Sequence, residues 1–330
     1  MKKILIVFTG GTIGMTRDLN TNANVPSLSG ADILDLSTGI RDLAQLDYID
    51  FSMIPGPHVT PSKMFELSVF LTEKLKNDDF DGAVVTHGTD SLEETAFMVD
   101  LTYTLKKPIV FVGAMRSSSD LGWDGPANLI DSVFTAIDDK AMAKGVMVVM
   151  NAQIHSATQV TKTHTNTLNA FESPNFGPIG FVDNKRAYFY HDYTKRKYIK
   201  TQNIDSRVDL IKCVAGLDDR FLKFSVNDGV KGIVVEGMGR GNVPPMMIPG
   251  IKYAIEKNIP VVLTSRCLMG KVLDSYGYKG AGRELTKMGI IMADNLPGHK
   301  ARIKLMVALG KFKRITDIKN FFQKGFYDPS

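Results

Sequence analysis

Short, nearly uninterrupted runs of apolar, largely β-branched residues recur along this chain and set its organisation. Ile4–Phe8 reads ILIVF, Phe80–Val85 FDGAVV, Pro108–Gly113 PIVFVG and Gly145–Met150 GVMVVM. Runs of this length without polar alternation mark strands buried on both faces of a parallel sheet. Between them the apolar residues fall at helical spacing. Ala31–Leu46 and Asn128–Asp138 carry this period, and Thr60-Pro61 offers an N-cap and a first-turn proline for a helix running to Lys76. Leu92, Ala96, Val99 and Tyr103 share one face of another helix, which Ser91 and Glu94 would open as a capping box. Asp50–Ile54 reads as one more short strand, ending at the break Pro55-Gly56-Pro57-His58. The alternation predicts an α/β fold with a parallel, helix-covered sheet in the first half.

The remaining stretches change character. Thr16–Gly30 is polar and rich in Asn, Thr and Ser, the composition of a mobile loop and a lid candidate beside any site at the first strand's end. Ile179–Ile199 alternates aromatic and charged residues, as antiparallel hairpins do. Thr201–Arg207 is polar and reads as a linker. A second, smaller βαβ series follows: strand Gly232–Glu236, helix Ile251–Lys257, strand Pro260–Thr264 and a last helix near Lys300–Gly310. The pattern predicts two α/β domains, a larger one over residues 1–195 and a smaller one over 211–330, joined by a linker at 196–210.

Composition narrows the function classes. The 330 residues are 44% hydrophobic and 23% charged, ordinary for a globular protein, and the net charge of +5 comes from scattered basic residues. A clustered basic face with interleaved aromatics, which nucleic-acid binding would want, is absent. No apolar stretch approaches the roughly 18 residues of a membrane helix. Five strongly apolar residues after Met1-Lys2-Lys3 are too few for a secretory signal, so a cytoplasmic location is expected. Cys213 and Cys267, far apart in apolar surroundings, are expected as reduced core thiols.

Candidate chemistry gathers where strands end. The first strand stops at Thr9-Gly10-Gly11-Thr12-Ile13-Gly14, and adjacent glycines permit a sharp turn with unobstructed amides. The spacing fits neither the dinucleotide fingerprint nor a P-loop, and no G-x-S-x-G elbow is present. His58, His87, His155, His164, His191 and His299 form no close ligand pair, so no metal site is expected. The recurring feature is hydroxyls at strand ends: Thr9 and Thr12, then Thr86 and Thr89, the latter beside Asp90 and just ahead of a helix N-terminus, where the dipole favours developing negative charge. A threonine hydroxyl needs a base to act as a nucleophile. His87 is near in sequence, and a lysine paired with a carboxylate serves equally. Lys162 is one such lysine, not distinguished from the others by spacing.

These motifs resemble the bacterial-type L-asparaginase family along nearly the whole chain. Thr9-Gly10-Gly11-Thr12-Ile13 and Thr86-His87-Gly88-Thr89-Asp90-Ser91 with Glu93-Glu94-Thr95-Ala96 match its two signature motifs in order. Gly113-Ala114-Met115-Arg116, Val160-Thr161-Lys162-Thr163, Asn175–Gly180, Gly239-Arg240-Gly241-Asn242 and Ser265–Gly270 add to the match. Gly270-Lys271-Val272 and Tyr278-Lys279-Gly280 resemble the cytoplasmic, type I branch.

The resemblance implies a larger flavodoxin-like N-terminal domain with the site at its sheet edge, and hydrolysis of L-asparagine to L-aspartate and ammonia without metal or organic cofactor. Thr12 would be the nucleophile, and Thr89, Lys162 and Asp90 a second triad. Gly11 and Gly88 would lie at the substrate, with main-chain amides near Gly11 and Thr89 at the oxyanion. Gly56, Pro57 and His58 would meet the α-carboxylate, Ala114 the leaving amide, and Asn242 also the substrate. Thr161, Arg240 and Cys267 lie in segments that form an allosteric site in type I relatives, and a homodimer or homotetramer is implied. Three positions depart from the family: Asn24 stands where the lid tyrosine is usual, Gly56 where a serine is common, and Gly277 near the partner-subunit glutamate. The resemblance admits two other readings. One is an ammonia-releasing component of an amidotransferase, disfavoured because the first strand begins almost at residue 1. The other is a catalytically weak amino-acid sensor with the same pocket.

Overall fold

The computed structural model describes residues 1–190 and 196–323. His191 and the rest of the stretch to Lys195 lie outside the described residues. The chain divides into two compact units, Met1–Ile199 and Lys200–Ser330.

The first unit contains, in chain order, β1 (Lys3–Phe8), β2 (Met15–Arg17), β3 (Asn24–Pro26), α1 (Gly30–Leu36), β4 (Gln45–Asp50), α2 (Pro61–Asn77), β5 (Gly82–Thr86), α3 (Leu92–Thr102), β6 (Ile109–Val112), α4 (Gly125–Ile137), β7 (Val146–Met150), β8 (Gln153–Ser156), β9 (Thr161–Lys162), β10 (Phe171–Glu172), β11 (Gly180–Asp183) and β12 (Arg186–Phe189). An eight-stranded sheet runs β12-β11-β8-β7-β6-β5-β1-β4. Strands β4, β1, β5, β6 and β7 are parallel, and β8, β11 and β12 pair antiparallel.

Alternate residues of each parallel strand enter opposite cores. Ile4, Ile6 and Phe8 pack with Ile33, Leu34, Leu129 and Val133 of α1 and α4. Leu5 and Val7 pack with Leu67 and Leu71 of α2, with Leu92, Ala96 and Val99 of α3, and with Tyr103 just beyond it. Each fully buried side chain of this kind contributes about 1.5–3 kcal/mol, which is why both faces of these strands must be apolar. The parallel strands stand in the order second-first-third-fourth-fifth of their chain sequence, the flavodoxin-like order. It places the topological switch point between β1 and β5, where open α/β sheets bind ligands at the strands' carboxyl ends.

Several elements depart from the sequence reading. The helical spacing over Ala31–Leu46 yields only α1 and one 3-10 turn, Ile40–Asp42, and Leu46 already lies in β4. Ser29 and Asp32 cap α1 reciprocally. Beyond it, Ser37 donates its hydroxyl to Ile33 O, and Gly39 takes φ +80°. β4 therefore precedes the expected strand at Asp50–Ile54 and ends where that was to begin. It is an edge strand and needs no apolar run.

Thr16–Gly30 is not all loop: β2 and β3 pair across it, with Asp18 Oδ1 taking the amides of Asn20 and Thr21 at the tip. β8 follows β7 through Asn151 and Ala152, both at positive φ, as a two-residue I′-type turn requires. The antiparallel expectation near Ile179 holds for β11 and β12, which meet through Asn184 and Lys185 in the same conformation.

The second unit is smaller. Thr201–Arg207 forms neither helix nor strand. It is followed by β13 (Val208–Lys212), α5 (Arg220–Asn227), β14 (Gly232–Gly237), α6 (Ile248–Glu256), β15 (Val261–Ser265), α7 (Gly282–Met288), β16 (Ile291–Met292), α8 (Gly298–Lys311) and α9 (Ile315–Gln323). The four strands form a parallel sheet in sequential order. Among the described residues no helix is long and apolar enough to cross a membrane.

Candidate active site

Two turns leave the switch point side by side, and their closeness is a glycine effect. Gly11 has φ +91°, and a Cβ there would stand 2.5 Å from Gly88 Cα. On its other side a Cβ at Gly88 would stand 2.8 Å from Gly56 Cα. Any side chain at Gly11 or Gly88 would force the turn after β1, the turn after β5 and the Gly56 segment apart. Thr9 ties the first two together by donating its hydroxyl to Thr86 O at 2.7 Å. Thr9 is thus a tether within the turn.

Thr12 opens the 3-10 turn Thr12–Gly14 and is half-buried. Its hydroxyl has no protein hydrogen-bond partner among the described residues, nor do the main-chain amides of Gly11, Thr12, Gly88 and Thr89. Asn24 lies exposed on β3. A turn of unengaged amides around a free hydroxyl is an arrangement suited to an oxyanion.

On the β5 side, Thr89 is buried and Asp90 is exposed. Lys162, on β9, donates from Nζ to Thr89 Oγ1 at 2.9 Å and to Asp90 Oδ1 at 2.8 Å. Its position is set twice more through the backbone. β9 pairs with β10, and Lys162 N donates to Glu93 Oε1 at 3.2 Å. Asp90, Glu93, Lys162, Thr163, His164 and Thr165 line an open cleft of about 350 Å³. Water thus reaches the carboxylate side of the lysine.

His87 is excluded as the base for Thr89. Its ring is fully buried, its Nδ1–H donates to Gly88 O at 2.9 Å, and desolvation pushes its pKa down to about 4. It is neutral at working pH and held by its neighbour's carbonyl. As pH falls from about 6.5 to 4, the unfolded chain protonates this histidine while the native state does not. Native stability should drop by about 3 kcal/mol across that window. Asp131, pushed up to about 6 by desolvation on α4, shifts stability with the opposite sign at overlapping pH. The informative measurement is therefore the urea midpoint of wild type against His87→Gln. The variant should lose less stability on acidification, and parallel curves would contradict the assignment.

The remaining expected positions are held by contacts that the motifs do not reveal. Gly56–His58 is a 3-10 turn with Gly56 buried and Pro57 and His58 exposed. Ser91 makes no cap hydrogen bond and instead donates to Gly56 O at 2.6 Å, so the expected capping box does not form. Ala114 is buried in a segment pinned by Asp124, whose carboxylate accepts from Met115 N and Arg116 N. Asn128 donates to Gly113 O and to Asp124. Ser91 and Glu93 stand inside the second signature motif, but only these long-range contacts show what they do, and no sequence signal points to Asp124 or Asn128.

Thr161 is buried on β9 in the first unit. In the second, Arg240 is exposed, and Asn242 bridges back to Met238 with its side-chain oxygen buried and unpartnered among the described residues. Gly277 and Tyr278 are exposed. Cys213 is a buried core thiol, pushed up to about 12 by desolvation. Cys267 is exposed, contrary to expectation, because β15 ends at Ser265 and the chain there turns outward. Among the described residues no group of three or more His, Cys, Asp or Glu is placed to hold a metal ion.

Comparison with known proteins finds family matches over both halves of the chain. Residues 3–195 match the family described as Asparaginase, N-terminal, and residues 207–322 the Glutaminase/Asparaginase C-terminal domain. An L-asparaginase of Bacillus licheniformis is 35% identical over 94% of this chain and 97% of its own. A component of the glutamyl-tRNA(Gln) amidotransferase from Methanobrevibacter smithii is 31% identical over 98% of this chain and 76% of its own. The crystal structure of a probable cytoplasmic L-asparaginase from Campylobacter jejuni superposes with a TM-score of 0.88 at 31% identity, covering 98% of this chain and 99% of that one.

Proposed function

The chain belongs to the asparaginase family, and from that premise we propose that it hydrolyses L-asparagine to L-aspartate and ammonia. One observation carries the reading. A single lysine, Lys162, donates both to the Thr89 hydroxyl and to the Asp90 carboxylate, residues more than seventy positions away. These lie beside the glycine turn that presents Thr12. A buried hydroxyl, an amine and a carboxylate in hydrogen-bond contact form a proton relay.

Thr12 Oγ1 attacks the side-chain amide carbon and its proton passes to the Thr89–Lys162 relay, the amide oxygen takes the negative charge, and the turn amides near Gly11 and Thr89 receive that charge. Each such donor typically contributes a few kcal/mol to the transition state. Collapse expels the amide nitrogen as ammonia, protonated through the relay, and leaves a β-aspartyl ester on Thr12. Water, oriented and deprotonated through Thr89 and Lys162, then cleaves the ester to aspartate and restores the Thr12 hydroxyl. Asp90 also holds the substrate's α-amino group, Gly56–His58 its α-carboxylate, and Ala114 O accepts from the leaving amide. The site acts in the cytoplasm, in a homodimer or homotetramer.

The alternative of an amidotransferase component would make glutamine the natural ammonia source. Ammonia release measured side by side should show asparagine turned over at least about tenfold faster than glutamine at equal concentration, a difference of about 1.4 kcal/mol in transition-state binding. A preference for glutamine would overturn the substrate assignment.

A further inference from the structure

Ser91 stands where a helix-capping serine belongs and does something else. Its hydroxyl crosses to the main-chain oxygen of Gly56 at 2.6 Å, in a buried setting. The same oxygen accepts Val59 N at 3.1 Å, so both of its lone pairs are engaged. The orientation of this carbonyl decides the direction of the peptide planes in the turn Gly56–His58. Pro57 contributes no N–H, and Gly56 has no side chain with which to grip a ligand. His58 N is already donated to Pro55 O at 3.0 Å, so recognition by this turn rests on Gly56 N and the exposed His58 ring, and glycine is the residue least able to hold its own peptide in one direction by itself.

We infer that Ser91 is the positioning residue for α-carboxylate recognition: it locks the Gly56 turn before substrate arrives, so that binding does not have to order it. The inference rests on the reading of that turn as the carboxylate site. It assigns Ser91 to ground-state binding and separates it from Thr12, Thr89 and Lys162, which act on the reacting amide. The conflict with capping is resolved by burial. A half-buried serine such as Ser29 caps its own helix, whereas a buried one beside an orientable carbonyl serves the turn.

The test is steady-state kinetics of Ser91→Ala and Ser91→Thr with L-asparagine, each with a thermal midpoint. Ser91→Ala should raise KM about tenfold, the worth of one buried hydrogen bond, with kcat within about twofold. Ser91→Thr, which keeps the hydroxyl, should restore KM. An unchanged KM, or a kcat that falls in step with the rise in KM, overturns the inference. Should Ser91→Ala not fold, Ser91→Cys keeps the volume with a weak donor and is read the same way. If the wild type releases no ammonia from asparagine, the asparaginase reading falls, and titration with L-aspartate decides the inference separately. Weakening of about tenfold in the variant upholds it, while equal affinity, or no binding by either protein, overturns it.

Discussion

Thr12→Ala should give a folded protein whose ammonia release from L-asparagine is at least about 10³-fold slower than wild type. Removing a covalent nucleophile eliminates the route through the ester, and what remains is the residual effect of positioning and electrostatics. The fold should be nearly indifferent. Thr12 is half-buried, its hydroxyl has no protein partner among the described residues, and the turn is held by Thr9, Ser52 and the glycine contact with Gly88 rather than by Thr12 itself. The thermal midpoint should shift by no more than a few degrees, and Thr12→Ser should keep part of the rate. Undiminished turnover by pure Thr12→Ala would remove Thr12 from the nucleophile role and move it to Thr89.

Lys162→Met should cost a comparable amount, about 10³-fold in kcat, because it deletes the group that connects Thr89 to Asp90 while keeping most of the aliphatic stem. The backbone contacts of Lys162 with Glu93 and β10 do not involve the ammonium, so the strand pair should persist. Thr89→Val tests the other end of the same contact. If the two act as a unit, the double variant is little worse than either single one. Multiplying losses would mean that Lys162 and Thr89 serve separate steps, and a Lys162→Met enzyme with normal kcat would break the relay altogether.

The parts of this protein that can be read from its sequence are those whose burial is uniform. β1, β5, β6 and β7 lie inside the sheet with helices on both sides, so nearly every residue must be apolar, and an unbroken apolar run leaves little ambiguity. β4 lies at the sheet edge, and β2, β3 and β8 are short. None of these carries such a run, and the sequence pattern misses or misplaces each. The apolar period over Ala31–Leu46 misleads because α1, a 3-10 turn and the start of β4 happen to present apolar residues in helical phase.

At the site, Thr12, Thr89 and Asp90 are visible as hydroxyls and a carboxylate at strand ends. Lys162 is not, since a two-residue strand has no pattern and its partners are more than seventy positions distant. Only the family resemblance singles it out. Ser91 shows the opposite error: a correct local motif overridden by a buried acceptor from another segment.

The most direct test of the central claim is to trap the ester. Protein turning over L-asparagine is quenched in acid, digested and mapped by mass spectrometry. An aspartyl adduct is expected on the peptide carrying Thr12, absent from Thr12→Ala and enriched in Lys162→Met if deacylation is the slower step there. An adduct confined to Thr89, or steady ammonia release from Thr12→Ala with no adduct anywhere, would contradict that claim.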